Sequence, residues 1–530
     1  MAKKQLVAPQ WFGEMRRLYD RCQFLAAGDV YDDAVESGAS PSYQAQLLAA
    51  RILLKRDENR AVAFLIRRPP KAPRERAEWA MLLAIGYARM RDFERADYHF
   101  DMVGKLARSP ADKAILAYQL ARRYMLAGEL AEARRYAGDM ACDESLAARI
   151  SHELLESFIL SHEERYRESA EGAIRAIKLI GTDRDDHLEE WFHAVHNVAI
   201  LGRELPVPEA AEIAKAEVDA DVEWPPDVAV QHFQALKGVG WSCALRGDLL
   251  GCFRYLRAAE HTRPSPAFEA IVLLDRAHFA RIVGERNWAC NEVAKAEILF
   301  DNIDWNEAPG DERVGLLLMA EAIVEYNPEK AHYFLARYKG LDKMRSPVML
   351  LAFDQRCEAF AAYSEGFVRL KSGEGGAEEA LRKAWGVFDR IGYDWRAGRA
   401  ALRLCEATGK ERWRHLAEDK LEHYPRSWLA REIVAQRAAN VSPVKLPRMQ
   451  RTVLEMLCRQ MTTAEIAQEL GLSQHTVRNH LKAVFRAYHV NNRAALVAEV
   501  ASRGDVPISG TLYSSKPRSR GPAPFSASSS

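Results

Sequence analysis

From about residue 10 to residue 435 the chain shows almost no alternation of β-branched with polar residues. It offers instead one Ala-, Leu-, Arg- and Glu-rich segment of helical period after another. Apolar residues spaced by 3.6 present one stripe on a helix and scatter over both faces of a strand, so this pattern commits the region to an all-α architecture. The breaks are short and chemically explicit: Arg67-Arg-Pro-Pro-Lys-Ala-Pro73, Arg263-Pro-Ser-Pro266 and Glu307-Ala-Pro-Gly-Asp311. The strongest, 219–228 with Trp224-Pro225-Pro226, is a candidate internal boundary.

A weak repeat runs beneath the helices. In Gly128-Glu-Leu-Ala-Glu-Ala133 a turn leads into a helix whose small Ala suits close packing. Arg91-Asp-Phe-Glu-Arg-Ala96 stands 37 residues earlier, and Glu164-Arg-Tyr-Arg-Glu-Ser-Ala170 ends 37 later. Related turns occur at Gly247 to Cys252, Arg286 to Asn291 and Tyr326 to Ala331, at intervals of about 40. A helical hairpin cannot bury its apolar face alone, and a small residue at each crossing lets neighbours stack. The array resembles tetratricopeptide-like repeats, loosely, since most copies lack the full aromatic signature. That resemblance implies an α-solenoid of stacked hairpins over residues 1–435.

A length of 530 residues exceeds one compact core and suits two or more domains. The charge is divided unequally: 445–503 holds nine Lys/Arg against four Asp/Glu, whereas 1–444 holds 63 against 69. A small basic module on an acidic body suits local attraction to phosphate. Eight dispersed cysteines with no C-x-x-C pair read as buried hydrophobes in a reducing compartment, not as disulfides or a zinc site. No apolar run approaches membrane-spanning length and no signal-peptide core follows Met1, so a cytoplasmic location without membrane contact is expected. Residues 436–446 read as a linker and 504–530, rich in Ser, Pro and Gly, as a disordered tail.

The segment 447–503 is the most specific. A first helix fits Pro447 to about Arg459, with Val453, Leu454 and Leu457 as its stripe. Thr462-Thr-Ala-Glu465 has capping-box form at the start of a second, in which Ile466, Ala467 and Leu470 face inward. Gly471-Leu472-Ser473 then supplies a turn and a cap for a third helix, 474–488. There Val477, Leu481, Val484 and Tyr488 form a buried stripe, and His475, Arg478, Asn479, Lys482 and Arg486 lie opposite. A helix clamped on one flank and lined with Arg, Asn and Lys on the other fits the major groove of double-stranded DNA.

Residues 446–497 resemble the LuxR-type helix-turn-helix domain through Leu446, Val453-Leu454, Leu457, Glu465-Ile466-Ala467, Leu470, Ser473, Thr476-Val477-Arg478, His480-Leu481, Val490 and Arg493. The resemblance implies a transcriptional regulator with a four-helix module whose third helix reads DNA. It assigns Arg478, Asn479 and Lys482 to base-facing positions and Thr476 to the backbone. With Ser473, His475, Arg486 and Arg493 these make up the candidate DNA-binding set. A fourth helix, about 492–501, would pair two copies through Leu496, Val497 and Val500, giving a homodimer on DNA. Met449, Gln450, Gln460 and Ala487 depart from the family pattern, weakening the expected surface charge.

Enzyme signatures do not emerge. There is no G-x-x-x-x-G-K-[ST], and Gly238-Val-Gly240 follows no strand. Glu190/His193 and Glu329/His332 share the Glu-x-x-His spacing of di-iron sites but lie about 140 residues apart. They read as packing or surface residues, and neither a cofactor nor catalysis is expected. The helical array is then a platform for self-association, or for an effector that is a protein, peptide or small molecule; RNA polymerase is a further candidate partner. The alternative is a helical-repeat adaptor whose C-terminal domain binds protein, a reading supported only by the four departures.

Overall fold

The computed structural model describes residues 10–70, 72–306, 308, 310–341, 351–440, 444, 446–458, 461–488, 490, 492–493, 496–497 and 500. Among these no strand occurs, and the chain divides into two compact units, Met1–Trp428 and Leu429–Ser530. The helix Trp428–Asn440 runs through the stretch where the sequence suggested that the array gives way to a linker. The rest of that linker, apart from 444 and 446, and the whole polar tail lie outside the described residues.

The first unit is built from helices that pack in sequence on their neighbours, as in Leu146–His162 with Tyr166–Ile180 and Pro266–Ile282 with Arg286–Phe300. One turn geometry recurs. Cys22, Arg91, Gly128, Glu164, Gly247, Gly284 and Gly392 all have positive φ. In each case the next amide donates back to the carbonyl four residues before the left-handed one, at 2.9 Å: Asp92 to Tyr87, Glu129 to Tyr124, Asp248 to Cys243, Tyr393 to Phe388. This is the Schellman closure that ends a helix while satisfying its last carbonyls. Five or six residues further on stands a small, fully buried residue: Ala27, Ala96, Ala133, Ala170, Cys252, Ala289 or Ala397. The turn rhythm of the sequence is therefore the stacking rhythm of the hairpins. At one copy the register differs. Gly284 and Ala289, not Arg286 and Asn291, occupy the turn and the crossing.

The Pro-rich stretch at 219–228 does not interrupt the core. Leu188–Glu204 packs directly on Ala229–Leu245 across it, and Trp224 lies 4.6 Å from the Phe192 ring and stacks on His232. The array also coils back on itself. Leu25 N donates to Asp227, Lys55 pairs with Glu189, Arg390 with Glu164, and Arg396 with Glu204. Three of these four contacts join residues about 200 apart, so successive coils touch.

The second unit contains Arg448–Cys458, Thr463–Leu470 and Gln474–Ala487, followed by a segment that is helical at 493, 496, 497 and 500. Its core gathers Val453, Leu454, Leu457, Ile466, Ala467, Val477, Leu481, Val484, Tyr488, Leu496 and Val500.

Candidate nucleic-acid interface

The geometry of the second unit follows from its caps. Thr462 Oγ1 accepts from Glu465 N at 3.2 Å and Glu465 Oε2 accepts from Thr462 N at 2.7 Å, so two otherwise orphaned amides are satisfied reciprocally. The Thr462 hydrogen bonds hold the Glu465 carboxyl below its usual range. Gly471 leaves the helix in the left-handed conformation, and Leu472 N returns to Ala467 O at 2.9 Å. Ser473 Oγ then accepts from Thr476 N at 3.1 Å and lies 2.8 Å from Thr476 Oγ1. Turn and cap together fix the direction of Gln474–Ala487 relative to Thr463–Leu470, and Ala467 is small enough for the close crossing.

On the third helix Val477 and Val484 are 0% exposed and Leu481 7%, which pins one flank to the core. His475, Arg478, Asn479, Lys482 and Arg486 are all exposed on the other flank. Arg478, Lys482 and Arg486 succeed one another at i, i+4 and i+8, a ridge ~12 Å long at 1.5 Å per residue. Among the described residues none of these three cations has a carboxylate within ion-pair distance; Arg478 makes only a 3.4 Å contact with Gln474. In the first unit, by contrast, many Arg side chains are held by Glu or Asp, as Arg134 is by Glu156 and Glu163. Unneutralised charge on an exposed, rigid helix is what phosphate attraction requires.

Two sets of sequence candidates sit elsewhere. Arg493 is half-buried, and its Nη2 donates to Leu457 O at 3.3 Å and Met461 O at 2.9 Å. It closes the end of the first helix and ties the fourth segment to it, a role that only the fold could show. Leu496 and Val500 are 0% exposed in the domain's own core, and Val497 packs half-buried against it. The structure therefore spends the first two inside one copy instead of offering them to a second. Of the four departures, Met449 is exposed, Gln450 and Ala487 are half-buried, and Gln460 lies outside the described residues.

Comparison with known proteins agrees with this geometry. Residues 445–500 match the model of the bacterial regulatory proteins, luxR family. The spore germination protein GerE of Bacillus subtilis (strain 168) is 36% identical over 63 residues, which are 12% of this chain and 85% of that relative. The chain belongs to the luxR family. It is, through this domain, a DNA-binding regulatory protein. A solved structure described as the APC/C hetero-tetramer Cut9–Hcn1 aligns with 92% of this luxR-family chain and 89% of its own, at 13% identity and a TM-score of 0.37.

Elsewhere in the luxR-family chain the two Glu-x-x-His motifs are held by separate partners: His193 lies 3.9 Å from Glu189, and His332 2.7 Å from Glu374. No helix among the described residues is long and apolar enough to cross a membrane.

Proposed function

We propose that the protein controls transcription by laying the helix Gln474–Ala487 in the major groove, with the 1–428 unit setting when it does so. Arg478, Asn479 and Lys482 contact base edges: Arg and Lys donate to guanine O6 and N7, and Asn pairs with adenine N6 and N7. Ser473, Thr476, His475 and Arg486 flank them and hold the phosphodiester backbone. The observation that carries this reading is that Arg478, Lys482 and Arg486 have no carboxylate partner among the described residues and stand on a helix whose other flank is buried. Arg493 serves as a positioning residue.

Two copies bind half-sites about one helical turn apart. The helical array, 1–435 by its sequence pattern, is the sensing or partner-binding part, and 447–503 the DNA-binding part, at work in the cytoplasm. RNA polymerase is the partner through which binding changes transcription.

The test is a salt titration of the full chain with random duplex DNA, followed by selection of bound fragments. Phosphate-driven association must lose affinity linearly in log K against log salt, with a slope near −0.9 per phosphate contact. No binding, or binding indifferent to salt, would leave the domain as a protein-interaction module and withdraw the proposal.

A further inference from the structure

Two hairpins of the first unit are joined through an unusual turn. Leu130–Asp139 winds at its end into the 3₁₀ turn Met140–Cys142, and Ser145 then caps Leu146–His162. A 3₁₀ turn is wound more tightly than an α-helical one, so it covers less of the helices beside it. A cleft of about 730 Å³ opens there, bounded by that turn, the first two turns of Leu146–His162 and the last two of Tyr166–Ile180. The volume falls in the range of small-ligand sites. Met140, Ala148 and Leu179 supply its apolar surface.

The polar lining comprises three cations, three carboxylates and one imidazole. Four of the charged groups are already matched. Arg175 Nε donates to Glu153 Oε2 at 2.9 Å and Lys178 Nζ to Glu209 Oε1 at 2.8 Å. Asp143 accepts from Ser145 N and Oγ at 3.0 and 3.1 Å. Glu144, Arg149 and His152 are different: none has a side-chain hydrogen bond or ion pair among the described residues. Arg149 stands four residues before Glu153, the usual spacing for a helical pair, but that carboxylate is taken by Arg175 on the next helix. His152, one turn beyond Arg149, has its Nδ1 buried and its Nε2 accessible. One cation, one anion and one imidazole are thus left over beside an apolar floor.

We propose that this cleft binds a small zwitterion with an apolar body. Arg149 and His152 Nε2 hold its carboxylate, Glu144 its ammonium group, and Met140, Ala148 and Leu179 its apolar part. A ligand of one sign would satisfy only half of this set and bring its charge against the other half. A free apolar amino acid and a short peptide present the same chemistry. The site stands on the cleft and its unmatched groups. Its part in control rests on the proposed sensing function of the first unit.

The experiment is calorimetric titration of the full chain with leucine and, separately, with the tripeptide leucyl-alanyl-leucine. One or both should bind saturably. Binding of leucine alone assigns a free amino acid, and of the tripeptide alone a peptide. Three reference compounds each lack one feature: glycine the apolar body, isocaproate the ammonium group and isopentylamine the carboxylate. Each should bind more weakly than leucine or the tripeptide by ~10-fold, about the worth of one charge-assisted hydrogen bond. Arg149→Gln and Glu144→Gln remove exposed charges that hold no other side chain, so both variants should fold, and each should weaken binding by the same factor. No saturable binding of either probe overturns the site. So does unchanged affinity in either variant, or a reference compound that binds as tightly as the probes. DNA affinity measured with and without the zwitterion is a separate readout: binding that leaves DNA affinity unchanged keeps the site and removes its part in control.

Discussion

Gly238 lies so close to Ala199 that a methyl group on its α-carbon would stand 2.5 Å from the Ala199 carbonyl oxygen and 2.8 Å from the carbonyl carbon. The glycine in Gly238-Val-Gly240 thus marks the tight crossing of Ala229–Leu245 over Leu188–Glu204, a packing role with no ligand in it. Backbone cannot yield as a flexible side chain would. Gly238→Ala should therefore destabilise the first unit by ~1–3 kcal/mol, the usual cost of overpacking. Chemical denaturation of the full chain measures it, and an unchanged midpoint would mean that the crossing is looser than described.

Arg478→Ala and Lys482→Ala each remove an exposed side chain that no core residue leans on. Each should weaken specific DNA binding by ~1–3 kcal/mol with the helical content intact. Gel-shift titration on a selected site, paired with circular dichroism, reads both quantities. Full affinity in both variants argues against these positions as the base contacts.

Arg486, further along the same ridge, is expected to touch phosphate only. Arg486→Ala should weaken specific and random duplexes alike and make the salt slope shallower by about 1. A loss confined to one sequence would instead give this residue a base-reading role.

Arg493 separates stability from recognition. Arg493→Ala deletes the donors to Leu457 O and Met461 O, and should lower the stability of the C-terminal unit by ~1.5–3 kcal/mol, the range for hydrogen bonds from charged groups. At a temperature where the variant remains folded, DNA affinity should stay close to that of the parent. Lost affinity with unchanged melting would place the guanidinium on DNA instead.

Acid should loosen the first unit in two stages. Burial pushes His193 down to about 4, partly offset by Glu189, and pushes His196 down to about 3. Below the unfolded histidine pKa near 6.5 the unfolded chain takes up protons that these folded imidazoles refuse, so stability falls as pH drops from about 6.5 towards 4. Glu204 acts lower. Burial would raise its pKa, but Arg203 and Arg396 outweigh that and hold it at about 2. Its contribution is complete above the ordinary glutamate range near 4.5 and is lost between there and about 2. Melting midpoints should hold between pH 7.5 and about 6.5 and decline from there to pH 3, and a flat profile down to pH 5 would contradict the histidine assignment.

Much of the C-terminal unit was legible because its signals are local. The Val477, Leu481, Val484 and Tyr488 stripe, the Thr462–Glu465 box and the Gly471 turn each lie within a dozen residues, where helical period and capping chemistry act directly. Leu496 and Val500 show the limit of that reasoning. An apolar stripe says that a face is covered, and only the fold says by what. The same holds for the array. Turns and small crossings were visible at Gly128 and Ala133 and, without a glycine, at Arg91 and Ala96, but Cys22 adopts the same left-handed conformation with no such signal. The grip of Arg396 on Glu204 spans 192 residues and depends on the summed rotation of many hairpins, which no local pattern encodes.

An ordinary stacked array behaves like a column of coins, each answering only to its immediate neighbours, so it can be shortened from either end and frays piecemeal. The bridges from Leu25 to Asp227 and from Glu204 to Arg396 forbid that here. Trimming the amino-terminal hairpins would strip cover from the middle of the chain, and the whole of residues 10–428 should come apart as one cooperative body.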